Sequence, residues 1–229
     1  MKNYDIFLFD ADNTLYDFGM AEANAFKTMF HNCGFDYSES ILAKYREINV
    51  QVWDSYDKGE ISKDDLQTLR FARLFESIGV HCNEAEFNEK YLEELGKGAF
   101  LIEGALEICE RIVLCGKPIY IVTNGILATQ ESRIRHSLIK DYIADFYVSE
   151  FVGYKKPDIE YFEYVFSHIP QIEKDRILLT GDSLTTDIAG GNTAGIDTCW
   201  FNPGETKNPT DIVPTYEIHR LLELHQFIE

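Results

Sequence analysis

The feature that most constrains this chain is a short hydrophobic run that ends in two carboxylates. Residues 6–9 are all apolar, which is typical of a strand buried on both faces of a parallel sheet. Asp10 and Asp12 follow, and a continued strand would direct both side chains to the same side. Because open α/β sheets bind ligands at the carboxyl ends of their strands, the pair indicates a cation site or a paired acid and nucleophile. A simple aspartate turn is the alternative.

Two later segments add groups that could bind an anion. Residues 119–125 read IYIVTNG, an apolar strand whose end offers the Thr123 hydroxyl and exposed N–H groups at Asn124 for a phosphate, or forms an ordinary turn. Lys156 lies in the sequence GYKKPD and is either a surface charge or the counter-ion of an anion. Pro157 after it is predicted to occupy the first position of a helix.

A third strand ends in carboxylates again. The segment RILLTGDSLTTDIAGG, residues 176–191, places Asp182 directly after an apolar run and Asp187 five residues later. A helix cap at Asp182 or Ser183 is the alternative for this segment alone. Taken in order, the segments supply four carboxylates, one lysine and one threonine, an inventory that suits phosphoryl transfer.

These segments, in this order and spacing, resemble the haloacid dehalogenase superfamily of phosphohydrolases over nearly the whole chain. The matches to its four motifs are, in order, Asp10 with Asp12, Thr123, Lys156, and Asp182 with Asp187. Within the superfamily, the chain is similar to the cytosolic 5′-nucleotidases that act on pyrimidine and non-standard nucleoside monophosphates. The resemblance implies an α/β fold: a doubly wound parallel-sheet (Rossmann-like) core with an inserted α-helical cap domain.

The resemblance also implies a covalent mechanism. Asp10 would be the nucleophile that forms an aspartyl phosphate, and Asp12 would act first as the acid and then as the base. Superfamily dehalogenases lack an aspartate at the position of Asp12, so its presence favours phosphate esters.

The same resemblance implies a Mg²⁺ cofactor. Asp10, Asp182 and the main-chain carbonyl of Asp12 would hold the ion, and Asp187 would hold a metal-bound water or ligate directly.

The remaining motif residues would bind the phosphoryl group. Thr123 and the N–H of Asn124 would contact its oxygens. Lys156 would neutralise charge on phosphorus and shield Asp10 from Asp182.

The pattern along the chain predicts two domains, a core of residues 1–18 and 97–229 and a helical cap of residues 19–96. We predict cap helices near residues 20–32, 39–57, 62–78 and 84–96, with a capping box at Ser62 and Asp65. We predict core strands near residues 4–10, 117–123, 145–149, 176–181 and 196–201, alternating with helices. Because the insert leaves the sheet directly after the first aspartate pair, it is predicted to act as a lid.

Substrate choice is predicted to lie in aromatic residues of the lid and its connection. Trp53 and Tyr56 are three apart on a predicted helix and either face a base or belong to the lid's own core. Tyr16 and Phe18 either line the entrance or pack at the hinge.

The charge of the chain limits the kinds of molecule that it is expected to bind. The net charge is −18 and the sequence has no run of five or more basic residues, so we expect a small phosphorylated substrate and no nucleic acid. Arg70 and Arg73 are predicted to be solvated.

The cysteines fit a reducing cytosol, because there are five of them and no C-x-x-C pair. Cys115 and Cys199 are predicted to be core residues.

Targeting signals are not apparent in the sequence. Without a signal-peptide pattern or an apolar run of membrane-spanning length, we expect a cytoplasmic protein with no membrane association. The sequence leaves a monomer and a homodimer open.

The main prediction is therefore a Mg²⁺-dependent phosphomonoester hydrolase, with 5′-nucleotidase activity on pyrimidine nucleoside monophosphates as its specific form. Two alternatives stay open. One is a sugar-phosphate or phosphoglycolate phosphatase, or a phosphomutase, with the same core chemistry. The other is a non-catalytic protein that binds a phosphorylated ligand.

Overall fold

The computed structural model describes residues 2–171 and 173–228 of the chain. The chain divides into two compact units. One comprises Met1–Gly19 with Ala99–Glu229 and holds the sheet, and the other comprises Met20–Gly98 and is helical. We call them the core unit and the helical unit.

A parallel six-stranded sheet forms the centre of the core unit. Its strands are β1 (Ile6–Phe9), β2 (Ile119–Thr123), β3 (Ile143–Val148), β4 (Ile177–Gly181), β5 (Asp197–Phe201) and β6 (Tyr216–Ile218). They lie in the order β3-β2-β1-β4-β5-β6, and all five pairings are parallel. This is the α/β class that the sequence predicted.

The core unit has helices beside its sheet, and further helices form the helical unit. They are α1 (Phe18–Asn32), α2 (Glu39–Asp57), α3 (Lys63–Ile78), α4 (Glu84–Lys97), α5 (Ala105–Leu114), α6 (Leu127–His136), α7 (Ser149–Val152), α8 (Ile159–His168) and α9 (Ala189–Ala194). Short 3-10 helices occupy Lys140–Tyr142, Lys174–Arg176 and Leu221–Phe227, and a π-helical turn occupies Leu184–Ile188. Within the described residues, no helix is both long and apolar enough to cross a membrane.

The sheet order brings the predicted site segments together. Strand β1 lies between β2 and β4, with Phe9 paired to Ile121 on one side and to Thr180 on the other. Every residue of β1, β2 and β4 is buried, as their unbroken apolar runs predicted. Because parallel strands end at one edge, the residues that follow these three strands become neighbours there.

The sequence missed the sixth strand. β6 has only three residues and pairs with β5 at the sheet edge, with Cys199 opposite Tyr216. A three-residue segment is too short to show the two-residue alternation of a strand. β3 begins at Ile143, two residues before the predicted start.

The helical unit has an aromatic interior and well-defined helix ends. Helix α3 begins after a capping box in which the Ser62 hydroxyl accepts from the Asp65 N–H and the Asp65 carboxylate accepts from the Ser62 N–H. It ends at Gly79, whose φ of 68° is left-handed. The buried aromatic side chains of this unit are Phe26, Phe30, Tyr45, Phe71, Phe75, Phe87 and Tyr91.

One charged residue in that interior contradicts the prediction. Arg70 is buried with 1% of its surface exposed, whereas Arg73 is exposed as predicted. The Arg70 guanidinium donates to Asn88 Oδ1 at 2.6 Å and to Asn49 Oδ1 at 3.4 Å. The prediction was wrong because a buried arginine with amide partners cannot be told from a surface arginine by residue type.

The cysteine predictions have mixed outcomes. Cys199 is buried in β5, which confirms its predicted place in the core. Cys115 is exposed, because it follows the end of α5 at a turn. Its apolar neighbours in sequence belong to the helix before it and the strand after it.

Candidate active site

Asp10 is fixed at the carboxyl end of β1 by the sheet itself. Its N–H donates to the carbonyl of Thr180 at 2.9 Å, which extends the β1–β4 ladder by one residue. The side chain is only 7% exposed, and the Thr14 hydroxyl lies 3.4 Å from its Oδ2. A buried carboxylate therefore follows directly after the buried strand β1, as the sequence predicted.

Asp182 and Asp187 approach Asp10 from the end of β4. Asp187 lies in the π-helical turn, and its Oδ2 accepts from the Ser183 N–H at 3.1 Å. A Cβ on Gly181 would come within 2.3 Å of the Asp187 carboxyl, so only glycine at that position leaves room for this side chain. Asp10, Asp182 and Asp187 each place one carboxylate oxygen within 4.8 Å of the others.

Burial and mutual repulsion make it difficult to ionise all these carboxyl groups together. Burial raises the pKa of Asp10 to about 7, and the neighbouring Asp187 charge adds to this while Lys156 opposes it. Burial also raises the pKa of Asp182 to about 8, with further contributions from Asp10 and Asp187. Both shifts favour a bound proton or a bound cation at this place.

Lys156 is the cation of the cluster. Its buried ammonium donates to Asp10 Oδ1 at 2.7 Å, to Asp187 Oδ1 at 2.6 Å and to the carbonyl of Val122 at 2.7 Å. Burial acts to lower the pKa of this ammonium, but the two carboxylates outweigh it and the pKa is raised. Lys156 thus bridges Asp10 and Asp187, and its predicted shielding of Asp10 from Asp182 stays a prediction.

Asn124 ties the lysine segment to the end of β2. Its side-chain Oδ1 accepts from the Lys156 N–H at 2.9 Å, and its Nδ2 donates to the Lys156 carbonyl at 2.9 Å. This side-chain role was not predicted. Pro157 is not at the first position of a helix, because α8 begins only at Ile159 after Asp158.

Thr123 ends β2 beside this segment. The residue is buried, and its Oγ1 accepts from the Gly125 N–H at 3.0 Å. The strand-to-helix turn thus has the hydroxyl and the main-chain N–H groups that the sequence predicted, and its phosphate-binding role stays a prediction.

Asp12 is not part of the carboxylate cluster found among the described residues. One of its oxygens pairs with the guanidinium of Arg133, and the other accepts from Gln130 Nε2 at 2.5 Å. Both partners lie on α6 and are buried. Sequence reasoning missed them, although two polar residues three apart on a helix directly after TNG were an available signal.

The four predicted specificity residues lie in different surroundings. Tyr16 has no exposed surface and belongs to the core cluster of the core unit, which agrees with packing rather than with an entrance. Phe18 is half-buried at the first residue of α1. In the helical unit, Trp53 and Tyr56 are half-buried and pack edge to face at 5.7 Å, with the Lys63 ammonium near both rings. Their part in substrate choice stays a prediction.

Comparison with known proteins agrees with this geometry. YfnB of Bacillus subtilis, a HAD-hydrolase by name, is 40% identical over 228 residues, which cover 100% of this chain and 97% of that protein. A crystal structure of YfnB, described as bound to magnesium and as revealing interdomain movement, has a TM-score of 0.92 and covers 98% of each chain.

Two further relatives carry an activity in their names. The pyrimidine 5′-nucleotidase PynA of Streptococcus pneumoniae is 34% identical over 221 residues, covering 96% of this chain and 93% of that protein. The pyrimidine 5′-nucleotidase YjjG of Escherichia coli is 30% identical over 225 residues, covering 98% of each.

The family model described as haloacid dehalogenase-like hydrolase matches residues 7–201, a range that contains every member of the carboxylate cluster as well as Lys156, Asp12 and Arg133. The resemblance found in the sequence is thereby confirmed. The chain is an enzyme that belongs to the haloacid dehalogenase-like hydrolase family.

Proposed function

We propose that this enzyme is a Mg²⁺-dependent phosphomonoesterase that hydrolyses pyrimidine nucleoside monophosphates through an aspartyl phosphate on Asp10. The observation that carries the proposal is the buried ion pair of Asp10 with Lys156 inside a group of three carboxylates. A buried carboxylate held at a strand end by a lysine is a nucleophile fixed in one place.

The donor set suits a magnesium ion. Three carboxylates face one ammonium, and the excess of negative charge is what a divalent cation would neutralise. Asp10 and Asp182 would hold the ion together with the main-chain carbonyl of Asp12. When bound, the ion neutralises charge on the phosphoryl group and orients it. The magnesium in the crystal structure described for YfnB supports this assignment.

Asp187 fits a supporting role. Its Oδ1 accepts from Lys156 and its Oδ2 accepts from the Ser183 N–H, so its carboxylate connects the ammonium to the segment after β4. We assign Asp187 to holding Lys156 in place and to binding a water next to the ion.

The reaction on the chain's own residues has two steps. In the first, an oxygen of Asp10 forms a bond to phosphorus while the ester P–O bond breaks, and Asp12 gives its proton to the leaving oxygen. In the second, a water forms a bond to phosphorus while the bond to Asp10 breaks, and Asp12 takes a proton from that water. Asp12 thus ends each cycle protonated as it began.

Fixed donors support both steps. The Lys156 ammonium stabilises the negative charge that develops on the phosphoryl oxygens, and Thr123 and the Asn124 N–H bind those oxygens. The buried position of Lys156 strengthens this effect, because water does not screen its charge there.

The nucleotide class rests on the two relatives named as pyrimidine 5′-nucleotidases and on the presence of Asp12, an acid that an alkoxide leaving group needs. We would measure phosphate release from dUMP, dTMP, UMP, AMP, glucose 6-phosphate and phosphoglycolate, each with Mg²⁺ or with EDTA. We expect turnover that depends on Mg²⁺ and favours the pyrimidine nucleotides.

Other outcomes would redirect the assignment. Turnover of the sugar phosphate or phosphoglycolate in preference to nucleotides would contradict the substrate class and leave the core chemistry. Transfer of the phosphoryl group to a sugar instead of water would indicate a mutase. No release from any compound would contradict the proposed function.

A further inference from the structure

The side chain that we propose as the acid–base group is held by residues that none of the motifs contains. We propose that Gln130 and Arg133 of α6 are positioning residues, which fix the Asp12 carboxylate for proton transfer to the leaving oxygen. This inference rests on the proposed function, because it assigns these residues to a step of that reaction.

The first support is the way in which the two residues share the carboxylate. The Arg133 guanidinium pairs with Asp12 Oδ1, and Gln130 Nε2 donates to Oδ2 at 2.5 Å. Being three apart, both residues point from the same face of α6. With both oxygens bonded, the carboxylate cannot rotate without breaking a hydrogen bond.

The second support is burial. Arg133 is fully buried and Gln130 is 1% exposed, which is rare for these residue types. A buried guanidinium needs a polar partner that compensates its lost hydration, and the Asp12 carboxyl group is that partner. The guanidinium carbon also lies 5.6 Å from the ring centre of Tyr16, and Tyr16 is bridged to Asp12 through the main chain.

The third support is Gly125, which follows the phosphate-binding turn. A Cβ at this position would lie 2.3 Å from Gln130 Nε2, 2.9 Å from its Cγ and 3.0 Å from its Cδ. Three atoms of one side chain would have to move, so Gly125 leaves the space that Gln130 needs to reach Asp12. The turn that ends β2 and the group that holds Asp12 are therefore coupled.

A merely structural ion pair would give a different kinetic signature from a positioning one. Breaking the ester bond to a ribose oxygen needs a proton from Asp12, whereas p-nitrophenolate is a stable anion that leaves without one. Because kcat/KM reports the steps up to the first irreversible one, it isolates this bond cleavage from hydrolysis of the aspartyl phosphate. Misplacing Asp12 should therefore lower kcat/KM for UMP and spare p-nitrophenyl phosphate.

The experiment measures kcat/KM for UMP and for p-nitrophenyl phosphate with Mg²⁺, first in the natural enzyme and then in variants. Arg133→Met and Gln130→Met should each lower the value for UMP by roughly 10- to 100-fold, a part of what a general acid contributes. The value for p-nitrophenyl phosphate should fall by less than about threefold. Arg133→Lys should recover part of the loss, and Arg135→Met, which changes an exposed residue of the same helix, should change neither value.

A double-mutant cycle tests whether Arg133 acts through Asp12. Asp12→Asn with Arg133→Met should be no slower on UMP than Asp12→Asn alone, because the group being positioned is already gone. The inference would be overturned if the double variant lost kcat/KM for UMP by the product of the two single losses. It would also be overturned if Arg133→Met lowered kcat/KM equally for both esters. Should Arg133→Met not fold, Gly125→Ala and Gln130→Met test the same contact and must show the same preference for UMP. If the natural enzyme is inactive on both esters, the proposed function itself fails.

Discussion

Among the residues that the structure describes, two arginines are almost completely buried, one in each unit, and they differ in what they bind. Arg133 in the core unit pairs with the carboxylate of Asp12, whereas Arg70 in the helical unit donates to the amide oxygens of Asn49 and Asn88. One buried cation thus faces a carboxyl group that the proposed chemistry uses. The other faces neutral amide groups on two helices, α2 and α4.

The difference shows how the same residue type serves two purposes. The network around Arg70 continues from Asn49 to Glu22, which binds Arg46, and it connects α1, α2, α3 and α4. No residue of the carboxylate cluster belongs to the helical unit. We therefore expect substitutions of buried polar residues in the core unit to change turnover more than stability. We expect substitutions of buried polar residues in the helical unit to change stability more than turnover.

The largest expected effect is on turnover. Asp10→Asn should lower kcat for UMP by about 10⁴-fold or more, because a neutral amide cannot replace the attacking carboxylate. The variant should unfold at the same urea concentration as the natural enzyme or at a higher one, because it removes a carboxyl group whose buried charge is unfavourable. Phosphate release and urea unfolding measure the two effects. Asp141→Asn, at an exposed position, serves as the control, and an Asp10→Asn enzyme with full activity would contradict the mechanism.

The next effect is on stability as a function of pH. Asp10 and Asp182 have pKa values of about 7 and about 8 in the folded protein, above those of an unfolded chain, so the folded state binds more protons between about pH 4 and pH 8. The free energy of unfolding in EDTA should therefore fall as the pH rises through this range, by a few kcal/mol at the order of magnitude. We would measure urea unfolding at pH 5, 7 and 9.

Added Mg²⁺ should reduce that fall, since a cation that binds the ionised carboxylates stabilises the folded state. Asp182→Asn should flatten the pH dependence in EDTA. A free energy of unfolding that rises from pH 5 to pH 9 in EDTA would contradict the assignment of the raised pKa values.

A smaller effect is expected from the other buried arginine. Arg70→Met should lower the free energy of unfolding by about 1–3 kcal/mol, because Asn49 Oδ1 and Asn88 Oδ1 lose their donor. The ratio of kcat/KM between UMP and p-nitrophenyl phosphate should stay the same. Arg73→Met on the same helix is the exposed control. A change in this ratio as large as that of Arg133→Met would remove the distinction between the two arginines.

The smallest effect concerns a helix end in the helical unit. Ser62→Ala removes the hydroxyl that accepts from the Asp65 N–H and should lower the free energy of unfolding by about 1 kcal/mol. Thermal or urea unfolding would detect the change. Thr68→Ala, an internal residue of α3, should have the smaller effect, and the reverse order would contradict the capping role of Ser62.

Helices and strands could be predicted from the sequence where a local residue pattern marks them. The capping box at Ser62 and the left-handed Gly79 mark the ends of α3, and the structure places that helix within one residue of the prediction. Apolar runs followed by aspartate located β1 and β4, because a buried parallel strand leaves a continuous hydrophobic pattern.

What could not be predicted depends on contacts between distant residues. Gln130 and Arg133 meet Asp12 across more than one hundred residues, and nothing in their own helix specifies that partner. The same holds for Arg70, whose amide partners come from α2 and α4. The ion pair of Lys156 with Asp187 depends on the π-helical turn, which periodicity does not reveal.

The Asn124 side chain has a consequence for motion. The amide accepts from the Lys156 N–H and donates to the Lys156 carbonyl, which is the pair of hydrogen bonds that a neighbouring strand would make. The loop that contains Lys156 is thereby hydrogen-bonded to the end of β2. We therefore expect this loop to open as slowly as the sheet does, rather than on the nanosecond to microsecond scale of a free loop. The Lys156 amide proton should accordingly exchange with solvent as slowly as those of the central strands, and the lysine stays aligned with Asp10 between turnovers.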